Sequence, residues 1–90
     1  MATIRISTPL RPYTDGKPEV TLHGKTIADV MDDLTSQYPG LRPHLFSSEG
    51  DLRSFVHLFV NDEDIENLEG MQTPVKDSDR IMLIPSIAGG

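Results

Sequence analysis

The chain contains no cysteine. That absence removes disulfides, thiolate catalysis, thiolate-bound zinc and iron–sulfur clusters together, and it weighs against a ferredoxin reading. No apolar run approaches the roughly 20 residues a membrane span needs. Met1-Ala2-Thr3-Ile4-Arg5-Ile6 has no apolar core behind a basic start, so it does not read as a signal peptide. The sequence therefore predicts a cytoplasmic protein with no membrane partner. Positive charge is scarce: 8 Lys and Arg stand against 14 Asp and Glu, for a net charge of −6. A phosphate backbone would be repelled, so nucleic acid is not an expected partner. An acidic surface fits docking to a basic protein, and it serves solubility equally well. Internal repeats and low-complexity tracts are also missing.

What remains is 90 residues, enough for one domain with one small core and too few for an enclosed catalytic cleft. Thr3-Ile4-Arg5-Ile6-Ser7 alternates polar and apolar residues, as a half-buried strand does. Pro9, Pro12 and Asp15-Gly16 mark a turn, and Glu19-Val20-Thr21-Leu22 alternates again, giving a hairpin with a long loop. Thr26 can cap a helix, with Asp29 where a capping box carries Glu. Ile27, Val30, Met31, Leu34 and Tyr38 then recur on one helical face until Pro39-Gly40 stops it. A short extra helical turn is expected near Arg42 to Phe46, and Ser47-Ser48-Glu49-Gly50-Asp51 reads as an exposed loop. Phe55 to Val60 is a strand rich in aromatic and β-branched residues, and Asn61-Asp62-Glu63-Asp64 a tight acidic turn. Ile65 to Gly70 is irregular. Arg80 to Ile84 is the last strand, closed by Pro85. The order is β-β-α-β-β. The apolar helix stripe needs a sheet face to cover it. First and last strands are expected to pair in parallel at the sheet centre. This is an α+β domain of the ubiquitin-like β-grasp type, spanning residues 1–90, with a mixed sheet of four to five strands, one main helix and a flexible tail at 86–90.

The strands at 55–60 and 81–84 are apolar on both faces, and a single helix covers only one. Val56, Leu58, Val60, Ile81 and Leu83, with Ile4 and Ile6, are expected in the core. Phe59, Met82 and Ile84 are left as a candidate docking face, with His57 nearby, unless residues 41–54 fold over it.

The chain ends in Gly89-Gly90, just beyond the strand that Pro85 closes. Nothing in the expected fold needs these glycines. A terminal diglycine is a slender strip without side chains, able to enter a narrow active site in another protein. The competing reading is a frayed end without function. The three histidines are 21 and 13 residues apart on different elements, which is no metal-ligand spacing. Asp62, Glu63 and Asp64 lack the pattern of a calcium loop, and no serine has a nucleophile-elbow context. No metal site is expected.

Val60-Asn61-Asp62-Glu63-Asp64, Lys76-Asp77-Ser78-Asp79-Arg80-Ile81 and Ile84-Pro85-Ser86-Ile87-Ala88-Gly89-Gly90 together resemble the MoaD/ThiS sulfur-carrier family. Leu10-Arg11-Pro12 and the block from Phe55 to Asp64 resemble its CysO-type branch of cysteine biosynthesis. The likeness spans essentially the whole chain. Ser78 stands where the family usually carries the glycine of Asp-Gly-Asp. ThiS proteins are typically shorter between the helix and the strand at Phe55, which favours the MoaD or CysO branches. The resemblance implies a carrier and not an enzyme. An E1-like adenylyltransferase/sulfurtransferase would adenylate the Gly90 carboxylate and convert it to a thiocarboxylate. Gly89 and Ala88 would thread that partner's channel, with Ile87 at the base of the tail. The sulfur would pass to a biosynthetic enzyme such as a PLP-dependent cysteine synthase, with a metalloprotease releasing the product, or to a molybdopterin or thiamin pathway. ATP and PLP would be used by the partners, and no cofactor is expected on this chain. Two other readings share the fold: a ubiquitin-like modifier joined to lysines, and a β-grasp interaction module with an idle tail.

Overall fold

The computed structural model describes residues 1–85. Five strands form one mixed sheet in the order β2-β1-β5-β3-β4, with β1 at Ala2–Ile6, β2 at Glu19–Leu22, β3 at Val56–Val60, β4 at Glu63–Asp64 and β5 at Arg80–Pro85. Among the described residues the α-helices are α1, Ile27–Gln37, and α2, Arg42–Leu45. β1 and β5 run parallel at the centre, in register Ile4↔Ile81 and Ile6↔Leu83. Every other pairing is antiparallel. This is the expected β-grasp order, and the last strand of the chain is the middle strand of the sheet.

The long β1–β2 loop is not irregular. Residues Thr8–Thr14 wind into a 3-10 helix, which buries Leu10 and Thr14. The buried Thr14 hydroxyl lies 3.2 and 3.0 Å from the Arg11 and Lys17 carbonyls, so its polar atom is satisfied. The acidic turn is shorter than the sequence suggested. Only Asn61 and Asp62 turn, both with positive φ (50° and 73°), the signature of a two-residue hairpin turn whose twist matches its strands. Glu63 and Asp64 instead pair back on Val60 and Phe59 as β4. Pro85 does not stop β5 but is its last residue, opposite Val56; at a strand end its missing N–H disrupts no interior rung.

α1 begins where Thr26 accepts the Asp29 N–H at 3.3 Å. Asp29 reaches back to the Lys25 N–H, also at 3.3 Å, one residue earlier than in the usual capping box. Gly24 lies hard against this turn. A Cβ there would stand 2.7 Å from the Val30 nitrogen and 2.8 Å from the Asp29 Cβ. Ile27, Val30, Met31 and Leu34 are each no more than 1% exposed.

A helix is about 10–12 Å across, whereas five strands at about 4.8 Å spacing are nearly twice as wide. α1 therefore covers part of the inner face only. Leu10, Leu41, Leu45, Phe46 and Ile65 complete the same buried cluster with Ile4, Ile6, Leu58, Ile81 and Leu83. The segment 41–54 thus packs on the helix side. Its loop is closed by a bridge between Phe46 and Leu52.

Candidate functional site

The residues assigned to the sulfur chemistry, Gly90, Gly89, Ala88 and Ile87, lie outside the described residues. What the structure places is their point of departure and its surroundings. The described chain reaches Pro85 on the central strand β5, and α1 and the segment behind it are packed on the other face of the sheet from Phe59 and Met82.

On that outer face the pleat brings the three predicted docking residues together. Phe59 pairs with Met82 across β3 and β5, and His57 pairs with Ile84. Phe59 and Met82 are half-buried, and Ile84 is 39% exposed. Nothing among the described residues covers this strip, because residues 41–54 lie on the opposite side. Its flanks are polar. On the β1–β2 side, Arg80 meets Glu19 at 3.1 Å and Arg5 approaches the same carboxylate at 3.9 Å. A shallow depression of about 450 Å³ opens there, bordered by Thr3, Arg5, Glu19, Arg80 and Met82. These ion pairs are exposed and screened, each worth at most about 1 kcal/mol. They orient charge around the strip more than they stabilise the fold. Asn61 closes one end: its side-chain amide donates to Asp79 at 2.8 Å and its carbonyl accepts the Arg80 N–H at 3.0 Å. This locks the β3–β4 turn to the start of β5.

Sequence reasoning missed a second feature at the base of the tail. Pro9, Leu10, Tyr13, His44, Phe55 and Pro85 line a hollow of about 420 Å³. Tyr13 and Phe55 are 39% and 43% exposed, and the Tyr13 and His44 rings stack at 4.2 Å. Its parts come from the 3-10 loop, α2 and the approach to β3. No local pattern joins them, and an apolar Phe55 set just ahead of β3 was the one available signal.

A titrating group in the second half of α1 is Asp33. The His23 backbone N–H, donated at 2.8 Å, holds its carboxyl below the usual carboxylate range against the opposing effect of burial, with smaller help from Gln37 and the His23 charge.

A mixed sheet with a parallel central pair, crossed by one helix, defines the ubiquitin-like class of small carriers and modifiers. Within that class the sequence is specific. The model of the ThiS family matches residues 4–90, through the terminal glycine. The chain is 40% identical to the sulfur carrier protein CysO of Mycobacterium tuberculosis over 90 residues, covering 98% of this chain and 97% of that protein. The CysO chain in the crystal structure of the Amycolatopsis orientalis BexX/CysO complex superposes with a TM-score of 0.90 at 36% identity, over 100% of both chains. The solution structure of small archaeal modifier protein 1 from Methanosarcina acetivorans gives 0.87 at 32% identity, over 99% of this chain and 95% of that one. The chain belongs to the ThiS family. It is a sulfur carrier on which partner enzymes act, not a catalyst.

Proposed function

We propose that this chain carries sulfur on the carboxyl group of Gly90 for cysteine biosynthesis. The observation that carries the proposal is the family match that runs unbroken through the diglycine, joined to near full-length similarity to a CysO carrier. A carboxylate is a poor electrophile. An E1-like partner using ATP would convert it to an acyl-adenylate with release of pyrophosphate. A sulfide donor would then attack the acyl carbon and expel AMP, leaving a thiocarboxylate. Like a thiolate, that sulfur is nucleophilic at neutral pH. It would attack an activated serine derivative at a PLP-dependent synthase, displacing that derivative's activating group, and a metalloprotease would free the product by hydrolysing its bond to Gly90.

This chain's own part is presentation. Gly89 and Ala88 thread the partner's channel, Ile87 anchors the base of the tail, and Phe59, Met82 and Ile84 dock against the partner's surface. ATP and PLP belong to the partners. The test is incubation with ATP, a sulfide donor and an E1-like enzyme, followed by intact mass measurement. Replacement of one oxygen by sulfur at the C-terminus is expected. A chain that is adenylated but never takes up sulfur would overturn the proposal.

The similarity to a small archaeal modifier protein favours one further reading, attachment of the Gly90 carboxyl to lysines of other proteins. Denaturing gels of cell extract separate the two, because isopeptide conjugates survive denaturation and a thiocarboxylated carrier runs at its own mass.

A further inference from the structure

We propose that His57, Asp64 and Glu66 form a binding site for a divalent transition-metal ion of the zinc type, at the β3–β4 edge of the sheet. The three side chains come from different backbone segments: His57 from β3, Asp64 from β4, and Glu66 from the 3-10 turn Ile65–Asn67 that follows. The hairpin brings them together. β4 runs antiparallel to β3 in register Phe59↔Asp64, two residues along β3 from His57, and the 3-10 turn that begins at Ile65 carries Glu66 on from Asp64. His57 and Phe59 share a face of β3, so Asp64, opposite Phe59, lies on the imidazole's side, and Glu66 approaches from the turn. One ligand atom from each lies within 4.8 Å of the others.

Tetrahedral donors about 2.0–2.1 Å from a zinc ion stand about 3.3 Å apart. Closing from the observed spacing needs a modest inward swing, and the exposed Glu66 side chain can make it. The Asp64 Oδ1 atom already accepts the Glu66 N–H at 2.9 Å, which orients that carboxylate and leaves its second oxygen for a metal. Neither carboxylate has a basic partner within ion-pair distance among the described residues, whose ion pairs fall on Asp77 and Glu19. Arg53 borders the same hollow of about 230 Å³, but its Nε donates to the Pro43 carbonyl at 2.9 Å. Two carboxylates thus stand beside one imidazole without an ion pair of their own among the described residues, and a bound cation would add one.

The donor set chooses the ion. Magnesium and calcium take oxygen ligands, whereas an imidazole joined to carboxylates suits zinc and its neighbours. Three protein ligands leave a fourth position for water or for a partner's side chain. The ion would tie the edge strand and the turn after it to β3, beside Ile84 on the outer face. It takes no part in the sulfur chemistry, so this site stands or falls apart from the carrier function.

The test is calorimetric titration of the full chain, stripped with chelator, with zinc chloride. Uptake of one ion per chain is expected, with a rise in melting temperature. Loss of an outer-shell partner typically weakens a site by about 10–100-fold, and His57→Asn or Glu66→Gln, which remove a direct ligand, should weaken it by at least about tenfold. His23→Asn and His44→Asn should bind as the parent does. Circular dichroism of each metal-free variant checks the fold, and exposed Glu66 provides a substitution that spares it. Equal zinc affinity in the parent and both ligand variants would overturn the site. So would losses of the same size in the His23 or His44 variants. Magnesium bound as tightly as zinc would overturn the choice of ion.

Discussion

The inner and outer faces of the sheet draw on the same strands and on apolar side chains of similar size. On the inner face Val56, Leu58, Val60, Ile81 and Leu83 are no more than 7% exposed. One position along each strand, Phe59 and Met82 are only half-buried and Ile84 is 39% exposed. The difference is in what lies above them. The inner face is roofed by α1, α2 and the turns beside them, while the outer face is bordered by short ion pairs and left open. A domain of this size has one core to build. Apolar residues beyond that need are free to serve recognition, and here Met82 and Ile84 lie on the central strand β5 and Phe59 on its neighbour β3. The inner face maintains the fold; the outer face and the tail do the work proposed for the chain.

That division can be broken by substitution. The largest effect is expected at the tail: deletion of Gly90, or Gly89→Trp, should abolish thiocarboxylation by intact mass while leaving the denaturation midpoint unchanged. A shifted midpoint would mean that the tail also holds the fold. On the inner face, Leu58→Ala should lower stability by about 2–5 kcal/mol in denaturant titrations, the usual cost of a core truncation. Gly24→Ala is a sharper probe of the roof, since its new methyl group would press on the backbone of α1's first turn. Overpacking of this kind costs about 1–3 kcal/mol. Met82→Ala on the outer face should change stability by less than about 1 kcal/mol. It should nevertheless slow sulfur loading at limiting partner enzyme by about fivefold or more, as loss of an interface anchor does. If Met82→Ala instead unfolded the chain as Leu58→Ala does, the two faces would not differ in role. The smallest effect concerns Asp33. Its lowered native pKa contributes stability that is complete above the ordinary aspartate range. The contribution fades as pH falls through the lower native value. The difference in stability between the parent and Asp33→Asn should therefore shrink on acidification, a trend that unfolding curves at a series of acidic pH values would record.

Much of the fold was legible because it rests on local chemistry. The α1 stripe, its Thr26 cap and the alternation in β1 and β2 are patterns within one element. The parallel centre followed from two apolar strands at the ends of the chain. β4 was not legible, because Glu63 and Asp64 have poor strand propensity. Their pairing comes from the positive-φ turn at Asn61-Asp62, not from their own side chains. The core residues and the outer strip were separable by period alone, but which face residues 41–54 would cover was left open by the sequence. The structure decides it by burying Leu41, Leu45 and Phe46 with α1. The hollow beside Pro85 and the grouping of His57 with Asp64 and Glu66 join residues from separate segments, so no spacing along the chain announced either.

By itself, the sequence determined the β-grasp order, the apolar periods and the diglycine at which the carrier chemistry is proposed, because each is written in neighbouring residues. Tertiary structure alone decided which apolar face stays open and which charges meet at the β3–β4 edge. Those outcomes depend on how elements far apart in the chain compete to cover a sheet wider than one helix, and that competition has no local signature.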